Sequence, residues 1–396
     1  MPTVPPDRAA ALQALEDLEE RGLSFDAALY RLDHTGLDDR GRRFARQLLF
    51  SVLRWQGRLD WIAERHSKRP VADLDPIARR LLRLGMCQLF FMRGVPPHAG
   101  VHATVELAKA RSHRGIASLI NALLRRAWKE RAYLRYPAPD ADPVAYLTVI
   151  HSHPAWLVRR WVERLGQAQA TALLQANNRP APLFVRACRD IDGFAERLQQ
   201  EGFAAVPQEL YPGFFLIEEA DGLFASRAFA EGLFQVQDLS SSLAARLLAP
   251  TPGERVLDAC SAPGGKTLQL AEAVGPQGRV LAADISPFRL RRLQKNAERL
   301  GQQNIQTVAA SSCAGIEATF DRVLVDVPCS GTGTLGRRPD ARWRKEADQL
   351  PQLQAVQTEL LRQAFARLRP GGVVLTLSPL TVIVNPGILN VPSFVG

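Results

Sequence analysis

The sequence predicts an all-α N-terminal bundle, an α+β connector and a C-terminal α/β domain built on a doubly wound, Rossmann-like parallel sheet. Three observations carry this. Apolar residues recur at helical spacing from residue 7 to about 135. From about Leu233 onward, short β-branched runs alternate with helical patterns across short loops, the order expected of strand–helix–strand units. Two loops of small residues, Cys260-Ser-Ala-Pro-Gly-Gly-Lys-Thr267 and Asp326-Val-Pro-Cys-Ser-Gly-Thr-Gly333, each follow an apolar strand pattern. In open α/β sheets, ligands sit at the carboxyl ends of such strands. The expected boundaries are 1–138, 139–235 and 236–396.

In the first region, helical spacing is clearest in Ala9–Glu20 and in Asp38–Leu53, where Phe44, Leu48, Leu49 and Val52 share one side. Leu59–Glu64, Pro76–Phe91 and Val101–Trp128 continue it, with breaks at Arg69-Pro70 and Gly94-Val-Pro-Pro97. The whole chain of 396 residues carries 50 Lys and Arg against 40 Asp and Glu, a net charge of +10. Residues 1–140 hold 24 of those cations and 16 of those anions, so +8 lies in the first third. That asymmetry points to a polyanionic partner, nucleic acid first. Arg42, Arg43, Arg46, Arg54, Arg111, His113, Arg114, Arg125 and Arg126 are the candidate phosphate contacts.

The connector reads as strands at Pro182–Arg189 and Phe214–Glu218 around a helix near Ile191–Glu201, preceded by a helix that opens with Pro154 just inside its first turn. It shows little chemistry. His151 and His153 flank Ser152 without a nearby cysteine or carboxylate, so no metal site is expected. The five cysteines, Cys87, Cys188, Cys260, Cys313 and Cys329, form no C-x-x-C pair. This argues against a disulfide framework and for a reducing compartment. The N-terminus has no long apolar segment and no run approaches a membrane span, so a cytoplasmic protein is expected. A monomer is expected too.

In the third region, strands are expected at 256–260, 280–284, 305–309, 320–326 and 373–377. Pro263-Gly264-Gly265 makes a turn without side chains, so backbone N–H groups can approach a ligand at the start of the next helix. Gly265-Lys266-Thr267 looks like the end of a P-loop, but the glycine required six residues before the lysine is Cys260. The dinucleotide fingerprint G-x-G-x-x-G fails as well, because the two glycines are adjacent. Asp284 ends the second strand about 20 residues after the glycine loop, the place where a ribose diol is bound. Taken alone, it would equally cap the following helix. Together with the loop it points to an adenosine-containing cofactor that is not read through phosphates.

Gln237-Asp-Leu-Ser-Ser241, Leu257-Asp-Ala-Cys-Ser-Ala-Pro-Gly-Gly-Lys-Thr267 and Asp326-Val-Pro-Cys-Ser-Gly-Thr-Gly333 resemble the bacterial 16S ribosomal RNA cytosine-C5 methyltransferase B family. The resemblance runs from the basic helical region, through His151-Ser-His-Pro-Ala-Trp156, to about Gly372. It implies an N-terminal domain similar to the antitermination factor NusB, S-adenosylmethionine as cofactor and 16S ribosomal RNA as substrate. It also implies that Cys260, Ser261, Ala262, Pro263, Gly264, Gly265 and Lys266 contact the methionine and sugar parts of the cofactor. Asp284 would bind the ribose, and Asp326 would lie near the methyl donor and the cytosine. Cytosine C5 is a poor nucleophile until a thiolate adds to C6, so this chemistry calls for covalent catalysis. A carboxylate hydrogen-bonded to N3 stabilises the adduct, a role for Asp326. The base must also leave its stack. RNA enzymes of this family use two cysteines: one in Pro-Cys, here Cys329, releases product, and the nucleophile lies in a Thr-Cys-Ser motif.

That second motif is absent. After Leu368-Arg-Pro-Gly-Gly372 the chain reads Val373-Val-Leu-Thr-Leu-Ser-Pro-Leu380, and Pro379 falls about where the nucleophile belongs. The remaining residues depart from the family, and Thr381–Val391 reads as an apolar hairpin with an exposed edge, an aggregation hazard. A shifted frame or an early stop, and so a C-terminally truncated sheet, is the expectation. Ser311-Ser312 also replaces an aspartate that usually contacts the adenine side of the cofactor, which implies weaker binding. Three readings stand: a cytosine-C5 methyltransferase with impaired activity, one that uses Cys329 as nucleophile, and a non-catalytic RNA-binding, antitermination-like protein.

Overall fold

The computed structural model describes residues 4–311 and 313–377 and the backbone of Val382–Val384. It divides into two compact units. The first holds the described residues through Pro180 together with Gly331–Ala347, and the second begins at Ala181, breaks after Ser330 and resumes at Asp348. This division differs from the boundaries expected at 138 and 235: Pro143–His151 packs on Asp39–Glu64, and Ala155–Asn177 packs on Pro143–His151.

The first unit contains α1 (Pro6–Glu19), α2 (Phe25–Asp33), α3 (Asp39–Glu64), α4 (Pro76–Phe90), α5 (Pro97–Arg111), α6 (Arg114–Lys129), α7 (Pro143–His151) and α8 (Ala155–Asn177). The apolar spacing explains the packing: Leu48, Leu49, Val52, Leu59 and Ile62 of α3 are fully buried. The Asp38 side chain accepts the Gly41 N–H and starts α3. Asp75 does the same for α4 through Ile77. Five details differ from the expectation. α3 is continuous where two segments were expected, and α2, capped by Ser24, was not foreseen. Val101–Trp128 is not one helix: Ser112 is extended, and His113 Nδ1 accepts the Gly115 N–H at 3.1 Å to start α6. Pro154 is the N-cap of α8 rather than a first-turn residue, and Gly166 breaks that helix internally.

The second unit holds two sheets. β1 (Leu183–Ala187), β2 (Ala205–Pro207), β3 (Phe214–Ile217) and β4 (Phe234–Val236) pair antiparallel in the order β2-β3-β1-β4, with α9 (Phe194–Gln200) between β1 and β2. Val185, Phe194, Phe215 and Phe234 form their core. The larger sheet contains β5 (Arg255–Asp258), β6 (Arg279–Asp284), β7 (Ile305–Ala309), β8 (Phe320–Asp326), β9 (Leu368–Leu377) and β10 (Val382–Val384). Its order is β10-β9-β8-β5-β6-β7; β10 pairs antiparallel with β9, and the other pairs are parallel. The helices are α10 (Leu239–Leu248), α11 (Gly265–Val274), α12 (Pro287–Leu300) and α13 (Gln349–Phe365). Alternation along the strands supplies both faces. Val256 and Leu324 pack with Leu248, Leu270 and Val274, whereas Leu257 and Val323 pack with Leu360 and Ala364. The order reverses between β5 and β8, and ligand sites form at the carboxyl ends beside such a switch. The apolar hairpin expected at Thr381–Val391 lies outside the described residues except for β10, which pairs with β9 instead.

Candidate active site

Three strands of the parallel sheet end in carboxylates, and all three ends carry a residue singled out by the sequence or its neighbour. Beyond β5 the chain turns through Cys260–Gly264 into α11. Asp258 is buried, and the Thr267 hydroxyl donates to its Oδ2 at 2.7 Å. Burial pushes the Asp258 carboxyl up to about 7, against the pull of the Thr267 hydrogen bond and the Lys266 charge. The Ser261 N–H donates to the Ala283 carbonyl at 2.9 Å, tying the turn to β6.

The two adjacent glycines are there for different reasons. Gly264 has φ +109°, and a Cβ on it would meet Leu293 Cγ of α12 at 2.6 Å. Its glycine is thus required by the backbone and by a neighbouring helix rather than by a ligand. At Gly265, the first residue of α11, the nearest atom to a Cβ is Gln235 Nε2 at 3.5 Å. No side chain caps α11, so its first-turn N–H groups have no partner within the helix.

Asp284 is buried at the end of β6. It accepts the Ala262 N–H at 3.1 Å, the Ser286 N–H at 2.8 Å and Arg289 Nη2 at 2.9 Å. It is therefore a clamp on the glycine turn and a start signal for α12 in one group. Ser311 is exposed just past β7, and Ser312 lies outside the described residues. Asp326 ends β8, and Lys266 Nζ donates to its Oδ2 at 2.7 Å. That ion pair joins the start of α11, just past the glycine turn, to the strand end that leads into the Cys329 loop. Cys329 is exposed; Gln357 Nε2 of α13 donates to the Pro328 carbonyl at 2.8 Å. Cys260 is half-buried, and burial pushes its thiol up to about 12, with the Asp258 charge acting the same way. It is thus unfit to act as a thiolate. Pro379 lies outside the described residues.

Sequence reasoning named the loop residues but missed Asp258 and Arg289. The missed signal was an acidic residue inside the apolar strand Val256-Leu-Asp-Ala259, since a buried carboxylate must find a donor.

Among the expected phosphate contacts, several are spent inside the helical unit. Arg46 pairs with Asp33, Arg111 with Glu16 and Arg126 with Glu130. Arg42 bonds Asp39 and the Leu37 carbonyl, and half-buried Arg54 donates to the Gly336 carbonyl. Arg43 is exposed. Exposed Arg114 and Arg125 line a groove of about 600 Å³ between α5 and α6, together with Lys109 and His102. His113 is an N-cap. His153 Nδ1 donates to the His151 carbonyl at 2.7 Å, and burial pushes its pKa down to about 2, helped by the Arg342 charge. Among the described residues, no group of His, Cys, Asp and Glu is placed to hold a metal ion, and no helix is long and apolar enough to cross a membrane.

A parallel sheet with this switch point, a glycine turn opening a helix and carboxylates at successive strand ends define a Rossmann-like, S-adenosylmethionine-dependent methyltransferase. Comparison narrows the class. Residues 245–384 match the family model for 16S rRNA methyltransferase RsmB/F, residues 5–129 that for the NusB family, and residues 153–221 that for the RsmF/B-like ferredoxin-like domain. The chain is 35% identical to the ribosomal RNA small subunit methyltransferase B of Salmonella dublin over 93% of its length and 85% of that protein. The crystal structure of PH0851 superposes with a TM-score of 0.77 at 25% identity, covering 96% of this chain and 86% of that one. A methyltransferase homolog from Pyrococcus horikoshii gives 0.53 at 27% identity, covering 61% and 78%. The chain belongs to the RsmB/F family of 16S rRNA methyltransferases.

The residues present fit S-adenosylmethionine. The Ser261 hydroxyl is buried and has no hydrogen-bond partner. Beside it lie the uncapped first turn of α11 and the Asp284 carboxylate. Acceptors and N–H donors in one turn suit the ammonium, carboxylate and diol of that cofactor.

Proposed function

We propose that this chain directs its methyl transfer to C5 of a cytosine in 16S ribosomal RNA, in the cytoplasm, and that its thiol chemistry is impaired in the sequence as it stands. The observation that carries the target assignment is the Lys266–Asp326 ion pair, which couples the cofactor loop to a loop bearing an exposed Cys329. A carboxylate and a thiol on one loop are what cytosine activation asks for. S-adenosylmethionine supplies an electrophilic methyl on its sulfonium. Cysteine adds to C6 as the thiolate, the C5–C6 π pair moves to C5, and Asp326 hydrogen-bonds the ring at N3. After C5 is substituted, loss of the C5 proton returns its electron pair to the ring and expels the thiolate from C6. Cys260, Ser261, Ala262, Pro263, Gly264, Gly265, Lys266 and Asp284 hold the cofactor in this reading, and Cys329 assists elimination. Five cysteines without a disulfide suit a reducing compartment.

Impairment follows from Pro379, which offers no nucleophile where the family motif puts its attacking cysteine. Groups that act as a unit lose most of the rate when one is missing. The assay is transfer of labelled methyl to unmodified small-subunit rRNA by this chain, by Cys329→Ala, and by a version carrying Thr-Cys-Ser in place of the residues around Pro379. Transfer only by the restored version is expected, with the label on cytosine C5. Robust transfer by this chain that vanishes in Cys329→Ala would sink the impairment and make Cys329 the nucleophile. Label on another base or atom would sink the cytosine-C5 assignment.

A further inference from the structure

The helix that follows β6 has two unlike faces. Along α12, Leu290, Leu293, Ala297 and Leu300 recur at helical spacing and are buried. Leu293 lies under the glycine turn, where a Cβ on Gly264 would meet it. On the opposite side, Phe288, Arg291, Arg292 and Lys295 recur at the same spacing, and all four are exposed. The helix as a whole carries five cations against the single anion Glu298. Two of those cations have duties within the fold. Arg289 pairs with Asp284 at 2.9 Å, and Arg299 donates to the Phe229 and Phe234 carbonyls.

The other three are placed without a partner to explain them. Arg291, Arg292 and Lys295 have no ion pair and no side-chain hydrogen bond among the described residues. The beginning of a helix favours acidic side chains, yet the first turn of α12 has none, and two arginines follow in the second turn. Phe288 adds a second anomaly, a phenyl ring 63% exposed in the first turn of a basic helix. The Arg291 guanidinium lies over it, 5.9 Å from the ring centre. An aromatic ring flanked by unpaired cations on one face is what a nucleic-acid strand needs, because every base has a stacking face and every linkage a phosphate. The helical unit differs here: Arg46, Arg111 and Arg126 there already hold carboxylates.

We propose that the outward face of α12 is an RNA-binding surface of the sheet unit, in which Phe288 stacks a base and Arg291, Arg292 and Lys295 take the phosphates of a single-stranded stretch. From Phe288 to Lys295 the helix rises about 10 Å, the length of about three stacked nucleotides. Phe288 lies four residues past Asp284, so the strand is held beside the carboxyl end of β6, at the edge of the sheet where the cofactor turn lies. The inference rests on ribosomal RNA as the substrate; it is independent of the cytosine assignment, and its test needs no turnover.

The test is binding of the full chain to unmodified small-subunit rRNA, measured by filter retention across a salt series. Changing Arg291, Arg292 and Lys295 together to Gln should lower the slope of log affinity against log salt by about two, at about 0.7 per single-strand phosphate contact. Changing Arg291 and Arg292 to Lys should keep the slope. Phe288→Ala should weaken binding roughly tenfold at every salt concentration, the size of one lost stack, without altering the slope. An unchanged slope in the glutamine variant would overturn the phosphate contacts, and unchanged affinity in Phe288→Ala would overturn the stacked base. Thermal unfolding at the parent's midpoint certifies each fold. If the glutamine variant fails that check, Lys295→Gln alone decides, with an expected loss of about 0.7 in the slope. Methyl label on a base other than cytosine would sink the cytosine assignment and leave this readout intact.

Discussion

The two loops that bring chemistry to the sheet are held in opposite ways. The Cys260–Gly264 turn is fixed by its own unit: Asp284 accepts from it, Thr267 bonds back to Asp258, and Gly264 lies against Leu293. Each of those partners is buried, in two strands of one sheet and the two helices that follow them. The cysteine loop shares with them the Lys266–Asp326 pair, and after Ser330 the chain leaves the sheet unit until Asp348. The glycine turn is thus fixed from several sides within the α/β fold, whereas the cysteine loop is tied to it through one ion pair and the Gln357 bond to the Pro328 carbonyl.

The largest expected effect separates the two glycines. Gly264→Ala imposes a left-handed backbone on alanine and drives a methyl into Leu293, and it should cost about 2–5 kcal/mol in urea unfolding. Gly265→Ala meets no close neighbour and should leave stability within about 1 kcal/mol, because alanine favours a helix start over glycine. If Gly265→Ala nevertheless weakens S-adenosylmethionine binding, that glycine serves close approach of the cofactor. Equal stability losses in both variants would mean that the Leu293 contact is not what fixes Gly264.

Asp284 comes next. Asp284→Ala strips the Ala262 N–H of its acceptor and should weaken S-adenosylmethionine by about 1–3 kcal/mol. Arg289→Met removes only the half-exposed partner of the same carboxylate and should leave affinity unchanged. Calorimetry on the pair decides whether the carboxylate itself matters; unaltered affinity in Asp284→Ala would put the ribose elsewhere.

The sheet was legible because its strands are β-branched runs between turn residues: β6, β7 and β8 fall within a residue of the expected spans. The glycine loop was legible because its small residues are contiguous and follow an apolar strand pattern directly. What was missed depends on distant partners. Gly57 carried no signal in the sequence, and its reason is Trp343, almost three hundred residues on. Arg342 drew no notice in the sequence, although it is among the most buried large side chains. The split between α5 and α6 was hidden because the apolar pattern continues through it, and only Ser112 and His113 mark the cap. Several arginines that read as phosphate contacts serve instead to neutralise carboxylates on adjacent helices.

The smallest effect tests the one bond that the two loops share. Lys266 and Asp326 are partly exposed, 19% and 38% at the side chain, so solvent screens their attraction. Lys266→Met should therefore change stability by less than about 1 kcal/mol, while keeping the apolar stem of the lysine. It should lower methyl transfer more clearly, in the version carrying the restored cysteine motif, because Asp326 loses the partner that orients it. Reduced transfer with unchanged S-adenosylmethionine affinity is the outcome expected if the pair serves the carboxylate that faces the base. Reduced affinity would assign the lysine to the cofactor instead, and transfer equal to the parent's would mean that Asp326 keeps its orientation without Lys266.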